Sequence, residues 1–251
     1  MTDIILYQYA GDIGVESGSP FCVKVHRMLA FKNLDYCPKN VGSPGEMKKI
    51  NPGVLKVPVL NYDGELVVDS SRIATFLEDR HPEPNLFPKN GISRTLCHLL
   101  EDWADEALYW YAVYHRWAID GNFRPFAKRT FATLPPPLRW FLPKMIRKQV
   151  LKQLHGQGLG RIEEKRVLVQ FEEHLDMLEG FLGKHPFLTG DGLTIADISV
   201  FAPLRALSVE SMPQTAALVW KRDLIIDWLG KVDKATSSRH SVAFETPEIE
   251  S

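Results

Sequence analysis

Short apolar blocks fill the first eighty or so residues, and apolar residues recur at helical spacing after that. Ile4-Ile5-Leu6-Tyr7-Gln8-Tyr9 reads as a strand, followed by a loop carrying Gly11, Gly14 and Gly18. Behind Ser19-Pro20-Phe21-Cys22, the spacing of Val25, Met28 and Leu29 predicts a helix over roughly 20–32. Leu34-Asp35-Tyr36-Cys37 restarts a strand, and Pro44 opens a short helix within 43–50. Asn51-Pro52-Gly53 breaks the chain. Lys56 to Leu60 and Glu65 to Val68 flank Asp63-Gly64 as a hairpin. Asp69-Ser70-Ser71 caps a helix from Arg72 to Glu78, which His81-Pro82-Glu83-Pro84 ends. The order is β-α-β-(α)-β-β-α.

From Gly91 on, no strand pattern appears. Thr95 to Ile119 reads as one long amphipathic helix, with aromatic residues packed from Tyr109 through Tyr114 to Trp117. Most of these rings belong in a core, but rings so close together cannot all face one. Leu134-Pro135-Pro136-Pro137 is a rigid break, and Arg139 to Leu154 is a basic helix whose positive side reads as a solvated face. Gly156-Gln157-Gly158-Leu159-Gly160-Arg161 follows a helix rather than a strand, so it reads as a flexible connection and not as a nucleotide loop. A helix over Glu163 to Leu182 comes next. Thr194 and Asp197 then form a capping box, with Leu193 and Ile198 as its hydrophobic staple. A last helix is expected over about Thr215 to Val232, and the polar tail from Lys234 is expected to be loose.

At 251 residues the chain suits two domains, and a net charge of −1 argues against a nucleic-acid binder. No apolar run approaches the ~18 residues of a membrane span. Met-Thr-Asp-Ile lacks the marks of a signal peptide. Three cysteines (Cys22, Cys37 and Cys97) are too few for a disulfide framework, so a reducing, cytoplasmic setting is expected. The eight histidines show no metal-pair spacing, and no metal is expected.

Ser19 followed by Pro20 marks a helix N-terminus. Its open N–H groups and partial positive charge stabilise an anion, a thiolate included. Cys22 stands three residues after a serine rather than a second cysteine, which excludes a dithiol cycle within this motif. Pro58 opens a strand. A trans proline on an edge is the plain reading, and a cis bond would leave an unpaired strand end able to accept a short peptide.

Ser19-Pro20-Phe21-Cys22, Lys56-Val57-Pro58, Asp69-Ser70 and Thr194-x-x-Asp197 in an all-helical second half together resemble the glutathione transferase superfamily. The loop before Ser19, the aromatic helix and the Gly-Leu-Gly-Arg segment are most similar to its metaxin and failed-axon-connections branch. The resemblance implies a thioredoxin-like glutathione-binding domain over 1–82, an all-helical C-terminal domain over 92–234 and a flexible tail over 235–251.

It also implies that Ser19 activates the glutathione thiol, with Tyr7 and Tyr9 as alternatives. Phe21, Lys56, Val57, Pro58, Asp69 and Ser70 would bind glutathione, the co-substrate, with Asp69 one carbon shorter than the family's usual Glu or Gln. Tyr109, Tyr114 and Trp117 would line the place of a small hydrophobic electrophile. A cytoplasmic homodimer of detoxifying function is the corresponding expectation, with no nucleic-acid partner. A non-catalytic adaptor of the same fold and a glutathione-dependent thiol reductase using Cys22 are the alternatives.

Overall fold

The computed structural model describes residues 2–89 and 91–244. Its sheet runs β2-β1-β3-β4, with β1 at Ile4–Gln8, β2 at Cys37–Asn40, β3 at Val59–Tyr62 and β4 at Glu65–Val68. β1 pairs parallel to β2 and antiparallel to β3, with Leu6 opposite Leu60 and Leu60 opposite Val67. Three helices complete this half: α1 at Pro20–Phe31, α2 at Pro44–Ile50 and α3 at Ser70–Arg80. Strand alternation sends Leu6 and Leu60 into the main core with the apolar residues of α1 and α3. Val59 and, partly buried, Tyr7 pack on the other face with Met47 and Ile50 of α2.

The remainder is helical among the described residues. It holds α4 at Gly91–Trp103, a π-helical turn at Ala104–Leu108, α5 at Tyr109–Trp117, α6 at Asp120–Thr130 and α7 at Pro136–Gln157. After a short 3-10 turn at Leu159–Arg161 come α8 at Glu164–Leu182, α9 at Ile195–Leu207, α10 at Pro213–Val219 and α11 at Asp223–Ala235. The architecture is a thioredoxin-like layer followed by an all-helical one, and α1 packs on the fully buried α9.

Several expectations need correcting. The second strand begins at Cys37, because Tyr36 is held in the core by His26 Nδ1 at 2.7 Å from its hydroxyl. The third strand begins after Pro58, which has no N–H to give to a ladder. The long aromatic helix is interrupted at Ala104–Leu108 by the π turn. Pattern reading missed α6, whose interior Pro125 argues against a helix; buried Asn122, Phe123 and Phe126 hold it in place. The last helix is two, broken at 220–222, where Trp220 Nε1 donates to Ser208 O and Arg222 pairs with Asp176 and Glu179.

The glycine-rich connection is tight rather than loose: a Cβ on Gly160 would meet His155 N at 2.7 Å. The tail is also not loose over 236–244. Val242 N donates to Glu16, Arg27 reaches Val242 O, and the Phe244 ring stacks on Trp220. The rest of that tail lies outside the described residues.

The Thr194–Asp197 cap goes further than the sequence pattern. Asp197 is fully buried; one oxygen accepts from Thr194 N and Oγ1, the other from Leu188 N and Trp228 Nε1. It therefore staples α9 to α11 as well as capping its own helix.

Candidate active site

Ser19 sits at the N-cap of α1 in extended backbone, with Pro20 as the first helical residue. Its hydroxyl caps no backbone N–H of the helix, and the amide of Phe21 makes no hydrogen bond among the described residues. The loop ahead of it is pinned by Ser17 Oγ, which donates to Tyr9 O and accepts from Ser19 N, and by Gly18 N on Ala10 O. The helix end is thus open to an anion, with a hydroxyl beside it.

Cys22 points inward. It is fully buried, and burial pushes its thiol up to about 11 despite the hydroxyls of Ser19 and Ser17 and the Tyr9 backbone against the sulfur. Tyr9 lies just past the end of β1, half-exposed, close enough to Cys22 and Tyr109 for their charges to couple. Tyr7 instead faces α2, where the Lys39 ammonium lies 5.4 Å from its ring.

The second helix N-terminus belongs to α3. Asp69 caps it, with Oδ1 accepting from Ser71 N at 3.0 Å and Arg72 N at 3.1 Å. Its φ of 80° is rare for a residue with a Cβ and costs about 1–3 kcal/mol, a strain that gathers at ligand clamps. Ser70, next in line, is buried, yet neither its N–H nor its hydroxyl has a partner among the described residues. The Val57–Pro58 bond is cis, both residues are buried, and Lys56 beside them is exposed with its carbonyl held by Asn51 Nδ2.

Of the aromatic residues, Tyr109 is brought to this place: its ring lies 4.6 Å from that of Phe21. Tyr114 and Trp117 are not. Tyr114 is buried in the core, where its hydroxyl feels Glu164 at the start of α8. Trp117 packs on Phe123 and Phe126 of α6. At 3.6 residues per turn, three rings at 109, 114 and 117 take three directions.

Beneath α1 the two halves are joined by charge. Lys24, buried, donates to Glu101 at 2.7 Å and Asp105 at 2.8 Å, and Ser71 of α3 donates to Glu101. Burial pulls the Lys24 pKa down, but the carboxylates of Asp105 and Glu101 prevail and hold it above its ordinary value. The π turn supplies Asp105 to this cluster.

Two family models match the chain. The N-terminal domain of glutathione S-transferases matches residues 17–85 and their C-terminal domain 161–228, together more than half of the chain. The chain belongs to the glutathione S-transferase superfamily. It is 27% identical over 241 residues to an isoprene-epoxide glutathione S-transferase of Rhodococcus sp. strain AD45, covering 92% of this chain and 98% of that one. It is 25% identical over 213 residues to protein LigF of Sphingobium sp. strain NBRC 103272 / SYK-6, covering 77% and 76%. Among solved structures, glutathione transferase GSTFuA3 of Phanerochaete chrysosporium has the same fold (TM-score 0.69, 22% identity, 94% and 98% covered). The metaxin branch is not shown by any of these.

Within this glutathione S-transferase chain, one residue at the site went unnoticed in the sequence. Arg116 of α5 is buried, and its Nη1 donates to Gly18 O at 2.6 Å, directly before Ser19. Its Nε has no partner among the described residues. Burial pulls its pKa down while Asp12 and Tyr109 raise it, so the Tyr109 hydroxyl feels its charge. Only the spacing of seven residues from Tyr109, two turns along one face, hinted that the two point the same way.

Proposed function

We propose that the protein is a glutathione transferase in which Ser19 and the N-terminus of α1 hold the glutathione sulfur as a thiolate. The carrying observation is the pair of open helix N-termini, at Phe21 and at Ser70, with Val57–Pro58 between them along the chain. One terminus suits the thiolate and the other one of the two carboxylates that a γ-glutamyl thiol tripeptide carries. These residues fit glutathione: Val57 offers backbone to its middle, Asp69 and Ser70 its γ-glutamyl end, and Lys56 an exposed cation.

A free thiol with a pKa near 8.5 is mostly protonated at neutral pH; lowering it by two units takes about 2.7 kcal/mol. A hydroxyl donor, the helix terminus and the nearby Arg116 cation are of that order together. The thiol proton leaves to solvent and the sulfur bonds to an electrophilic carbon. The bond from that carbon to its leaving group breaks with its electron pair. The electrophile sits against Phe21 and Tyr109; the name of the Rhodococcus relative suggests a small apolar epoxide, whose opened oxygen takes up a proton. A cytoplasmic homodimer belongs to the same reading, which light scattering tests.

The thiol-reductase alternative needs Cys22 reactive, and a fully buried thiol near 11 counts against it. Calorimetry with reduced glutathione tests the main reading: one site per chain at 1 mM Kd or tighter, about −4.1 kcal/mol, is expected. No heat at millimolar ligand would favour the adaptor.

A further inference from the structure

Residues 121–162 contain nine Lys and Arg and no Asp or Glu, in a chain whose net charge is −1. This stretch comprises α7 and most of α6, and all but its last two residues fall outside both family-model matches. The sequence reading of α7 as a solvated basic face leaves out its apolar residues. Trp140 and Phe141 are each 66% exposed, Met145 51% and Leu138 43%. Leu138, Phe141 and Met145 are spaced i, i+3, i+7, so they form one stripe. The opposite face carries Pro143 and Leu154, which are buried. Continued by three and seven residues, the outward stripe becomes Lys148 and Lys152.

Four of the cations of α7 are not spent on the protein. Arg147 turns inward, with Nε on Trp117 O at 2.8 Å and Nη2 on Asp120. Arg139, Lys144, Lys148 and Lys152 are exposed and, among the described residues, none meets a carboxylate. Bulky apolar groups including Trp and Phe, ringed by unpaired Lys and Arg, are what an in-plane helix offers to a negatively charged bilayer. A second copy is a poor occupant, since a two-fold contact through this face sets the same cations against each other. No helix of the described residues is long and apolar enough to cross a membrane, so the contact is peripheral.

We propose that the N-terminal half of α7, with Leu138, Trp140, Phe141 and Met145 as apolar anchors, docks the protein on an anionic lipid surface. The segment leading into α7 is tied to the loop before Ser19, because Arg129 at the end of α6 bonds Asp12 at 3.0 Å.

The test is co-sedimentation of the full chain with vesicles of phosphatidylcholine alone and of phosphatidylcholine with phosphatidylserine. Binding is expected to the anionic vesicles only and to weaken as salt is raised. Two double variants, Trp140→Ser with Phe141→Ser and Lys144→Glu with Lys148→Glu, each lower the partition constant about tenfold or more. All four positions are exposed, so an unchanged unfolding midpoint certifies the fold. Absence of binding at low salt overturns the proposal, as does binding that the Trp140/Phe141 pair does not weaken. A dimer in light scattering that the same pair dissociates assigns the face to a second copy and equally overturns it.

Discussion

Arg116 Nη1 donates to the carbonyl oxygen of Gly18 at 2.6 Å, joining the aromatic helix α5 to the residue that precedes Ser19. A hydrogen bond from a charged donor is worth about 1.5–3 kcal/mol, and this one fixes the loop on which the thiol is to be activated. Arg116→Met is expected to lower kcat/KM with an aryl halide about tenfold or more, and to lower the unfolding midpoint. Arg116→Lys recovers little, because a point ammonium on a shorter side chain does not reproduce the guanidinium fork. Wild-type steady-state kinetics in both variants would remove Arg116 from the account.

Asp69 carries two duties that substitutions separate. Its Oδ1 caps α3, and its carboxylate charge is proposed to meet the glutathione amine. Asp69→Asn retains the capping oxygen and tolerates positive φ, so stability stays within about 0.5 kcal/mol while glutathione affinity falls. Asp69→Ala loses the cap as well and costs about 1 kcal/mol or more. Denaturant titration and calorimetry on the two variants check this. Equal affinities for wild type and Asp69→Asn would show that the charge plays no part in binding.

The helix ends were legible in the sequence because caps are local chemistry: Ser19-Pro20, Ser43-Pro44, Asp69 and Thr194 all stand at helix N-caps in the structure. The hairpin around Asp63-Gly64 was legible for the same reason. Which way a ring or cation faces was not. Tyr109 reaches Phe21 whereas Tyr114 turns into the core and Trp117 packs on α6, and only the packing of α5 between its neighbours decides that. Arg116 bonds a residue 98 positions away, and a pairing of that range leaves no trace in local pattern. The failure at α6 is of another kind. Helix propensity penalises Pro125, and tertiary burial of Phe123 and Phe126 overrides it.

Thr194 and Asp197 were expected to be equal partners in a cap, and the structure makes them unequal. Thr194→Ala removes the hydroxyl's local contacts to Asp197 and Thr189 and is expected to cost about 1 kcal/mol. Asp197→Ala leaves the buried donors of Leu188 and Trp228 unpaired as well, at about 1–3 kcal/mol for each such loss. Chemical denaturation should therefore show Asp197→Ala well below Thr194→Ala. Coincident midpoints would contradict the role of Asp197 in tying α9 to α11.

The cysteines give a countable outcome. Cys22 and Cys97 are buried with thiols pushed to about 11, while Cys37 is exposed. A disulfide reagent at neutral pH should label one thiol per native chain rapidly and three after denaturation. Rapid labelling that Cys22→Ala abolishes would revive the reductase.

His115 is fully buried with no partner on either ring nitrogen among the described residues, and burial lowers its pKa to about 4. The unfolded chain protonates this group near 6.5, so between about 4 and 6.5 the unfolded state binds the extra proton. Stability from this residue is complete above pH 6.5 and is lost as pH falls, at up to about 1.4 kcal/mol per unit. His115→Leu is expected to raise the urea midpoint more at pH 5 than at pH 7.5. A shift that is the same at both pH values would show that His115 does not titrate on unfolding.

The central claim is that Ser19 at the N-terminus of α1 holds bound glutathione as a thiolate. The direct measurement is the ultraviolet thiolate absorbance of bound glutathione against pH, in the wild type, Ser19→Ala and Cys22→Ala. The account predicts a bound-thiol pKa well below 8.5 in the wild type and in Cys22→Ala, rising by about one unit or more in Ser19→Ala with affinity changed less. A bound-thiol pKa that is unshifted in the wild type, or one that Ser19→Ala leaves where it was, would contradict it.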